Sequence, residues 1–454
     1  MGLNKTKQNQ KMGRKINDIL IVLALFLVSL SLNGQEKLSL NDCIEIAIEK
    51  NISIKNSSLD LLTSVENKKI AIGNFLPNLN ITGNHSWNTG LNQNITTGIL
   101  ENQTTENSSV NMSVNINLFN GLANLRTIQR ANLDLIAKNY QLEHMKEDIS
   151  LIVANSYLQI LFNKEQLEVQ NSQVKISYEE LNIANEKFKN GVIPEGDLFE
   201  IEANLSKDEQ NLIIAKNSYE LSKIALAQLL MYNDLDNFQI DETDFDIPSL
   251  EILNKTPEEI FNVSLQKRND IKLAETNLAI AHKEQKISES YLLPSATAYY
   301  SYNSRVIMNG TSSLKSQFDL NAGNSVGLQL NIPLLNGWSS RSNISKSKIN
   351  VVRSENLLQQ TKLDLENAIY QALNDAKGAG KSYEAAKKST ISRKTAYQYA
   401  KNKFENGALN TISYFQSKQL YETAQSELIK AKYDYIFKIK VLEFYFGFQN
   451  FSLR

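Results

Sequence analysis

Histidine and cysteine are sparse in this 454-residue chain, and the spacing of its reactive side chains builds no catalytic constellation. The three histidines, His85, His144 and His282, stand singly. The one cysteine, Cys43, sits in a helical apolar pattern and reads as a small buried residue; a lone thiol excludes a disulfide framework and a cysteine-rich metal site. Asp234, Asp236, Asp241, Glu242, Asp244 and Asp246 cluster without a nearby histidine and without calcium-loop spacing, so they read as a solvated linker. There is no glycine-rich phosphate loop, nucleophile elbow or paired metal ligand. The expectation is a protein with no catalytic residue, no metal and no cofactor. A net charge of −1 gives no basic footprint, so nucleic acid is not an expected partner.

The residue spacing that does recur is architectural. Lys187-Phe188-Lys189-Asn190-Gly191 is matched by Lys403-Phe404-Glu405-Asn406-Gly407 at an offset of 216. Ile116-Asn117-Leu118-Phe119-Asn120-Gly121 meets Ile332-Pro333-Leu334-Leu335-Asn336-Gly337 at the same offset. Earlier in each unit, Ser39-Leu40-Asn41-Asp42 meets Thr256-Pro257-Glu258-Glu259, and Phe75-Leu76-Pro77 meets Leu292-Leu293-Pro294, at an offset of 217. A register held this long is an internal duplication, with a period too long for a solenoid.

Each unit reads helix, strand, loop, strand, long helix, turn, helix. First helices are expected from about Asn41 to Gly73 and from Pro257 to Tyr291. Long helices are expected from about Leu122 to Lys189 and from Ser339 to Glu405, each on the order of 100 Å at 1.5 Å per residue. The returning helices, about Gly196 to Met231 and Thr411 to Phe446, are half that length, so each can stack end-on with a short first helix. Only 6 prolines and 18 glycines occur, and the prolines fall at joints. Val153, Ile160, Leu167, Val174, Leu181 and Phe188 recur every seven residues, as do Leu198, Leu205, Leu212, Tyr219 and Leu226. A seven-residue period implies left-handed supercoiling.

The first 34 residues read as an address. Lys5, Lys7, Lys11, Arg14 and Lys15 precede an apolar stretch from Ile19 to Leu32, followed by small residues. That is the pattern of a secretory signal peptide; the rival is an N-terminal membrane anchor, for which the apolar stretch is short. The mean hydropathy of −0.33 reads as soluble. The strand segments qualify that reading. Val110, Met112, Val114, Ile116 and Leu118 alternate with Asn111, Ser113, Asn115 and Asn117, and Val326, Leu328, Leu330, Ile332 and Leu334 with Gly327, Gln329 and Asn331. Two looser segments follow Pro77 and Pro294. About ten residues of such alternation is the signature of a transmembrane barrel strand. The alternative is a pair of soluble amphipathic hairpins packed on the helices. Four strands leave two open edges, which cannot be left in lipid. Two chains would give eight strands and three would give twelve, and a long hollow helical wall favours three.

With these residues in view the chain resembles the TolC-like outer-membrane efflux channels over nearly its whole length beyond the leader, about Leu38 to Phe448. The resemblance rests on the Leu38–Ala47 opening, the Leu-Pro strand entries, the Asn-Gly returns from strand to helix, and the two Phe-x-x-Gly turns. It implies a fold that is mainly α with membrane β-strands: a duplicated helix-strand-strand-helix-helix unit whose trimer forms a 12-stranded β-barrel continued by a long α-helical barrel. The resulting layout is a signal peptide over 1–34, a first repeat over 35–254 with strands at about 77–90 and 108–119, and a second repeat over 255–454 with strands at about 294–304 and 325–334. The implied function is a passive exit duct in the outer membrane with a large periplasmic portion. It would work in a tripartite efflux or type I secretion system with a periplasmic adaptor and an inner-membrane pump. A secreted coiled-coil structural or adhesive stalk is the alternative, but a stalk has no use for matched strand pairs.

The resemblance also assigns residues. Asn190, Gly191, Val192, Asn406, Gly407 and Ala408 would form the periplasmic tip and meet the adaptor, where the residue chemistry alone requires only a helix stop. Asp197, Leu409 and Ser413 would lie at the gate. Three copies of Asp197 would make an acidic ring; equally, an acid there suits the positive end of a helix. Ser413 stands where the second repeat would need the matching acid, so that repeat adds no carboxylate at this position. Trp87 and Trp338 are candidates for the aromatic girdles at the two faces of the membrane, or for packing at strand–helix joints.

Overall fold

The computed structural model describes residues 37–93, 97–235, 237–241, 250–308 and 313–447. The expected leader, and Asp236, Glu242, Asp244 and Asp246 of the acidic cluster, lie outside these residues. In chain order the elements are α1 (Leu40–Lys50), α2 (Ile52–Gly73), β1 (Asn78–Gln93), β2 (Leu100–Asn120), α3 (Ala123–Lys189), α4 (Glu195–Leu229), α5 (Pro257–Lys267), α6 (Asn269–Ser290), β3 (Ser295–Ile307), α7 (Leu314–Leu320), β4 (Gly323–Asn331), α8 (Ser339–Glu405) and α9 (Thr411–Phe446).

Capping chemistry starts each unit. Ser39 Oγ accepts from the Asp42 N–H while the Asp42 carboxylate accepts from the Ser39 N–H, and Thr256 and Glu259 repeat the arrangement ahead of Pro257. The expected first helix is in fact two. Asn51 leaves the helical region (φ −57°, ψ 130°), and its Oδ1 accepts from the Ser53 N–H at 2.8 Å, so its side chain caps α2. Arg268 makes the equivalent break between α5 and α6. Both long helices run 67 residues, about 100 Å.

The helices pack side by side in one layer. α2 and α4 line one flank of α3, α6 and α9 lie between α3 and α8, and among the described residues α8 has helical neighbours on one flank only. Because α4 leaves the turn end of α3 and α2 reaches its strand end, the two short helices cover opposite halves of it. The cores sit at the waist. Cys43 and Ala47 of α1, Val153, Tyr157 and Ile160 of α3 and Leu226 of α4 form one; Ile260, Ile271, Ile369 and Ile439 anchor the other. Heptad positions Val153 and Ile160 are buried, but toward the turn the buried positions of α3 become Gln173, Ser177 and Ala184, and Phe188 is exposed.

The strands form one antiparallel sheet in the order β1-β2-β3-β4. Register turns the sequence alternation into rows. Leu79, Val114, Tyr300 and Val326 lie side by side, as do Ile116, Ala298 and Leu328. On the opposite face Asn80, Ser113, Ser301 and Ser325 form a polar row. Val326 is 82% exposed and Leu328 77%, so the apolar face is left bare. Among the described elements α7 is the one helix that packs substantially on the sheet, which overturns the reading of soluble hairpins covered by helices.

Strand limits differ from expectation in ways the backbone explains. β1 runs to Gln93 rather than 90 and β2 starts at Leu100 rather than 108, so this hairpin extends beyond the four-stranded part instead of looping. A bulge between Asn117 and Phe119 lifts Leu118 out of the alternation, and Phe119 pairs with Ala296 in its place. β3 continues to Ile307 rather than 304. β4 spans Gly323–Asn331 rather than 325–334 and stops short of Pro333, which has no N–H for a ladder. The segment read as a plain loop after β3 contains α7, whose Gln317 bonds both the N–H and the carbonyl of Ile307 and so covers the β3 edge where β4 is absent.

Candidate functional site

At the end remote from the sheet, α3 and α8 stop on the same residue pattern with the same geometry. Gly191 has φ 70° and Gly407 φ 72°. The Val192 N–H donates to the Lys187 carbonyl at 2.8 Å and the Gly191 N–H to the Phe188 carbonyl at 2.8 Å. Ala408 and Gly407 repeat both bonds, to Lys403 and Phe404, at 2.8 and 3.1 Å. This is a Schellman closure, which needs a left-handed residue after the helix, so glycine fits for backbone reasons alone. Asn190 and Asn406 each return their side-chain amide to the carbonyl four residues back, at 2.8 and 2.7 Å. The structure brings the two turns together: the Lys187 ammonium lies 5.5 Å from the Phe404 ring centroid and 3.4 Å from the Glu405 carbonyl.

All six residues expected at the tip are exposed, and a Cβ on either glycine would meet nothing within 4 Å. Val192, with Ile183 and Asn182, borders a shallow depression on this surface. Asp197 is half-buried in the first turn of α4, and its carboxylate makes no ion pair or side-chain hydrogen bond among the described residues. Ser413 donates its N–H to the Asn410 cap at 2.9 Å, and Leu409 is half-buried between the turn and that cap. The turns therefore carry exposed backbone and small side chains rather than an ionic network.

The ionic network lies further up, and sequence reading missed it. Lys418 of α9 is 3% exposed, and its ammonium donates to Glu180 Oε2 at 2.9 Å and to Ser177 Oγ at 2.6 Å on α3. The Ser177 hydroxyl in turn donates to Asp208 Oδ2 of α4 at 2.5 Å. Asp208 and Glu422 approach the ammonium at 3.6 and 3.9 Å. Tyr414 donates to Glu180 and lies 3.3 Å, hydroxyl to hydroxyl, from Tyr397 of α8. Helices α3, α4, α8 and α9 thus meet at one buried lysine. Three carboxylates share one ammonium, and Glu422 Oε1 is buried without a hydrogen-bond donor among the described residues. Burial pushes the Glu422 carboxyl up to about 7; Lys418 opposes this, while Asp208 and Glu180 add to it. Burial likewise pushes the Tyr397 phenol up to about 12 and raises that of Tyr414. The signal available in the sequence was the i, i+4 series Tyr414, Lys418, Glu422, which places a lysine on a helix face otherwise buried.

A second charged cluster lies at the waist. Arg268, at the break between α5 and α6, pairs with Asp270 at 3.0 Å and lies over the Phe444 ring at 4.7 Å. Glu147 of α3 accepts from Asn269 at 2.7 Å and lies 3.9 Å from His144.

The aromatic candidates sit at two heights. Trp338, 72% exposed, occupies the joint between β4 and α8 with φ 69° and its ring 5.4 Å from the Arg341 guanidinium. Trp87 is not at a strand end, since β1 continues past it; it pairs with Glu106, at the level where β3 leaves the sheet. From Asn78 to Trp87 the strand climbs ~30 Å at 3.4 Å per residue. At a tilt of about 40° that is ~23 Å of height, close to the apolar band of a membrane barrel.

A family model described as outer membrane efflux protein matches residues 43–230 and 260–445. The chain is 21% identical over 434 residues to outer membrane protein TolC of Salmonella enteritidis, covering 93% of this chain and 86% of the relative. It is 25% identical over 412 residues to toxin and drug export protein A of Aggregatibacter actinomycetemcomitans, covering 87% and 83%. Among solved structures it superposes on the outer membrane protein VceC of Vibrio cholerae with a TM-score of 0.76 at 15% identity, covering 90% of this chain and 96% of the other.

Proposed function

This chain belongs to the outer membrane efflux protein family, and on that footing we propose that three copies assemble into a water-filled exit duct which a periplasmic adaptor engages at the tip and an inner-membrane pump supplies. The observation that carries the reading is the pair of matching free edges. The sheet ends in β1 and β4, and the helical layer ends in α2/α4 and α8, in the same order around the molecule. Open strand edges cannot face lipid. The free helical edges carry exposed Leu59, Ile70 and Ile213 on one side and Ile349, Leu357 and Ile391 on the other, an apolar surface that a neighbouring copy would cover.

Size selects three copies over two. Eight strands close into a barrel whose interior side chains fill. Twelve strands spaced ~4.8 Å apart at a tilt of ~40° give a backbone cylinder of roughly 24 Å, which leaves a passage. The polar rows of Asn, Ser and Thr would line it, and the apolar rows would meet lipid. The duct performs no chemistry. The exposed turns at Asn190–Val192 and Asn406–Ala408 would receive the adaptor, with Asp197, Leu409 and Ser413 behind them at the constriction.

Two measurements test this. Purified protein in a planar bilayer should form ion-conducting channels and remain with the membrane after carbonate extraction; a protein released by carbonate contradicts the duct. Replacing Gly191 and Gly407 with bulky residues should impair export while leaving assembled protein in the membrane, because both sites open onto free space. Unimpaired export would remove the adaptor from these turns.

A further inference from the structure

We propose that the notch between α7 and the top of β3 is a binding site for lipid A, the acylated phosphosugar that anchors lipopolysaccharide in the outer leaflet of the outer membrane. The inference rests on the duct reading, in which the sheet is part of a membrane barrel with its apolar rows toward lipid.

α7 lies on the apolar face of the sheet. By strand alternation Ser304 and Val306 point to the same face as Tyr300 and Tyr302. Both are buried, and Ser304 Oγ donates to the Phe318 carbonyl of α7 at 2.6 Å. The level is that of the outer membrane boundary, because the Met308 N–H donates to the carbonyl of Glu106, the residue paired with Trp87. Here helix and sheet leave an open notch of about 350 Å³. Val306, Met308, Leu314 and Phe318 supply its apolar surface, and Ser108 and Lys315 complete it. A methylene fills roughly the ~30 Å³ that a water takes in the liquid, so the notch has room for about ten methylenes of an acyl chain. Leu314 and Met308 are both exposed, so the apolar face of the sheet continues onto this surface.

An apolar notch in lipid selects nothing by itself, because lipid tails are as apolar as the side chains that line it. Selection comes from the polar groups beside it. Lys315 is exposed and makes no ion pair among the described residues, even with Asp319 one helical turn on. An ammonium held at the headgroup level attracts an anionic headgroup. Ser108 leads from the notch to a second feature on the same face. His85 Nδ1 lies 2.7 Å from Ser108 Oγ and His85 Nε2 3.1 Å from Glu106 Oε1, so the ring is fixed at both nitrogens. Trp87 stands edge-on to that ring, 4.2 Å between centroids, and is 65% exposed. A held, exposed indole has a flat apolar face on which the C–H face of a sugar packs, at the interface where such rings are favoured. Trp87, Glu106 and Met308 are level on three neighbouring strands, so indole and notch are ~10 Å apart. The acyl slot, the ammonium and the indole match the fatty chain, the phosphate and the glucosamine of one lipid A. A glycerophospholipid supplies the first two and has no sugar for the third.

Native mass spectrometry of the assembled protein in mild detergent, titrated with purified lipid A, with lipid A stripped of its phosphates and with phosphatidylglycerol, tests this. The wild type should retain one lipid A for each chain and hold the phosphate-free form about fivefold more weakly, the worth of one ammonium at an anionic surface. Lys315→Glu, which replaces attraction by repulsion, should weaken lipid A by about tenfold or more and leave the phosphate-free form unchanged. Trp87→Ala should weaken both forms of lipid A and leave phosphatidylglycerol unchanged. Both side chains are exposed, so neither substitution opens the core. Equal retention of lipid A and phosphatidylglycerol by the wild type, or wild-type affinity for lipid A in Lys315→Glu, would overturn the site. If a variant does not assemble, the comparison of the three lipids on the wild type decides alone. If carbonate releases the wild type from membranes, the duct reading fails and takes this inference with it; if the protein stays in the membrane and shows no preference among the lipids, only the lipid A site fails.

Discussion

Gly121 and Gly191 both take left-handed backbone, yet they do different work. At Gly121 (φ 62°) a Cβ would run into the Ser290 carbonyl and the Leu293 side chain, because α6 packs against the strand-to-helix joint there. At Gly191 (φ 70°) the space is open. Alanine at Gly191 meets only the left-handed penalty, about 1 kcal/mol. Alanine at Gly121 adds a backbone collision and should cost ~2 kcal/mol or more. Thermal unfolding of the detergent-extracted protein should show the larger drop in Tm for Gly121→Ala; equal drops would mean that the joint relaxes freely. Both glycines were legible as punctuation in the sequence. Their difference was not, since it depends on α6 arriving from the other repeat. Lys418 was missed for a related reason: periodicity registers apolar residues, whereas two of the three carboxylates around this buried ammonium, Glu180 and Asp208, lie more than 200 residues away in the chain.

At the scale of elements, duplication was the strongest sequence signal, and it extends to details that periodicity did not reveal. The break at Asn51 recurs at Arg268, at the same offset that aligned the repeats, although one is capped by an asparagine side chain and the other by none. The break places Arg268 and Asn269 against Glu147 of α3, with His144 beside it. Glu147 foremost, then Asp148 and Asp270, hold the His144 imidazolium and raise its pKa against burial and Arg268. A raised folded-state pKa means stabilisation fully present below the ordinary histidine value of about 6.5 and lost as pH rises through the folded value. Glu422, raised from 4.5 to about 7, destabilises in the same direction across that interval. Tm should therefore fall between pH 6 and pH 8, and His144→Gln should lower it at pH 6 while making the fall smaller. An unchanged slope would remove His144 from the waist linkage. The strand alternation was legible, but the bulge at Leu118 and the length of the β1–β2 hairpin were not, because both are fixed by partners across the sheet.

At the scale of the molecule, the isolated chain is a strip with edges. Its apolar sheet face is bare, its strand order ends in β1 and β4, and its helical layer ends in α2/α4 and α8. A soluble mean hydropathy and a membrane location are compatible because the lipid-facing surface is confined to a few rows of four strands, while the long helices present polar faces. Closure of that strip on copies of itself is the central claim, and the copy number follows from the passage it must leave. Native mass spectrometry of the protein extracted from outer membranes in mild detergent measures it directly. Three chains per particle is the result this account requires; a particle of one or two chains, with open edges or a barrel filled by its own side chains, would contradict it.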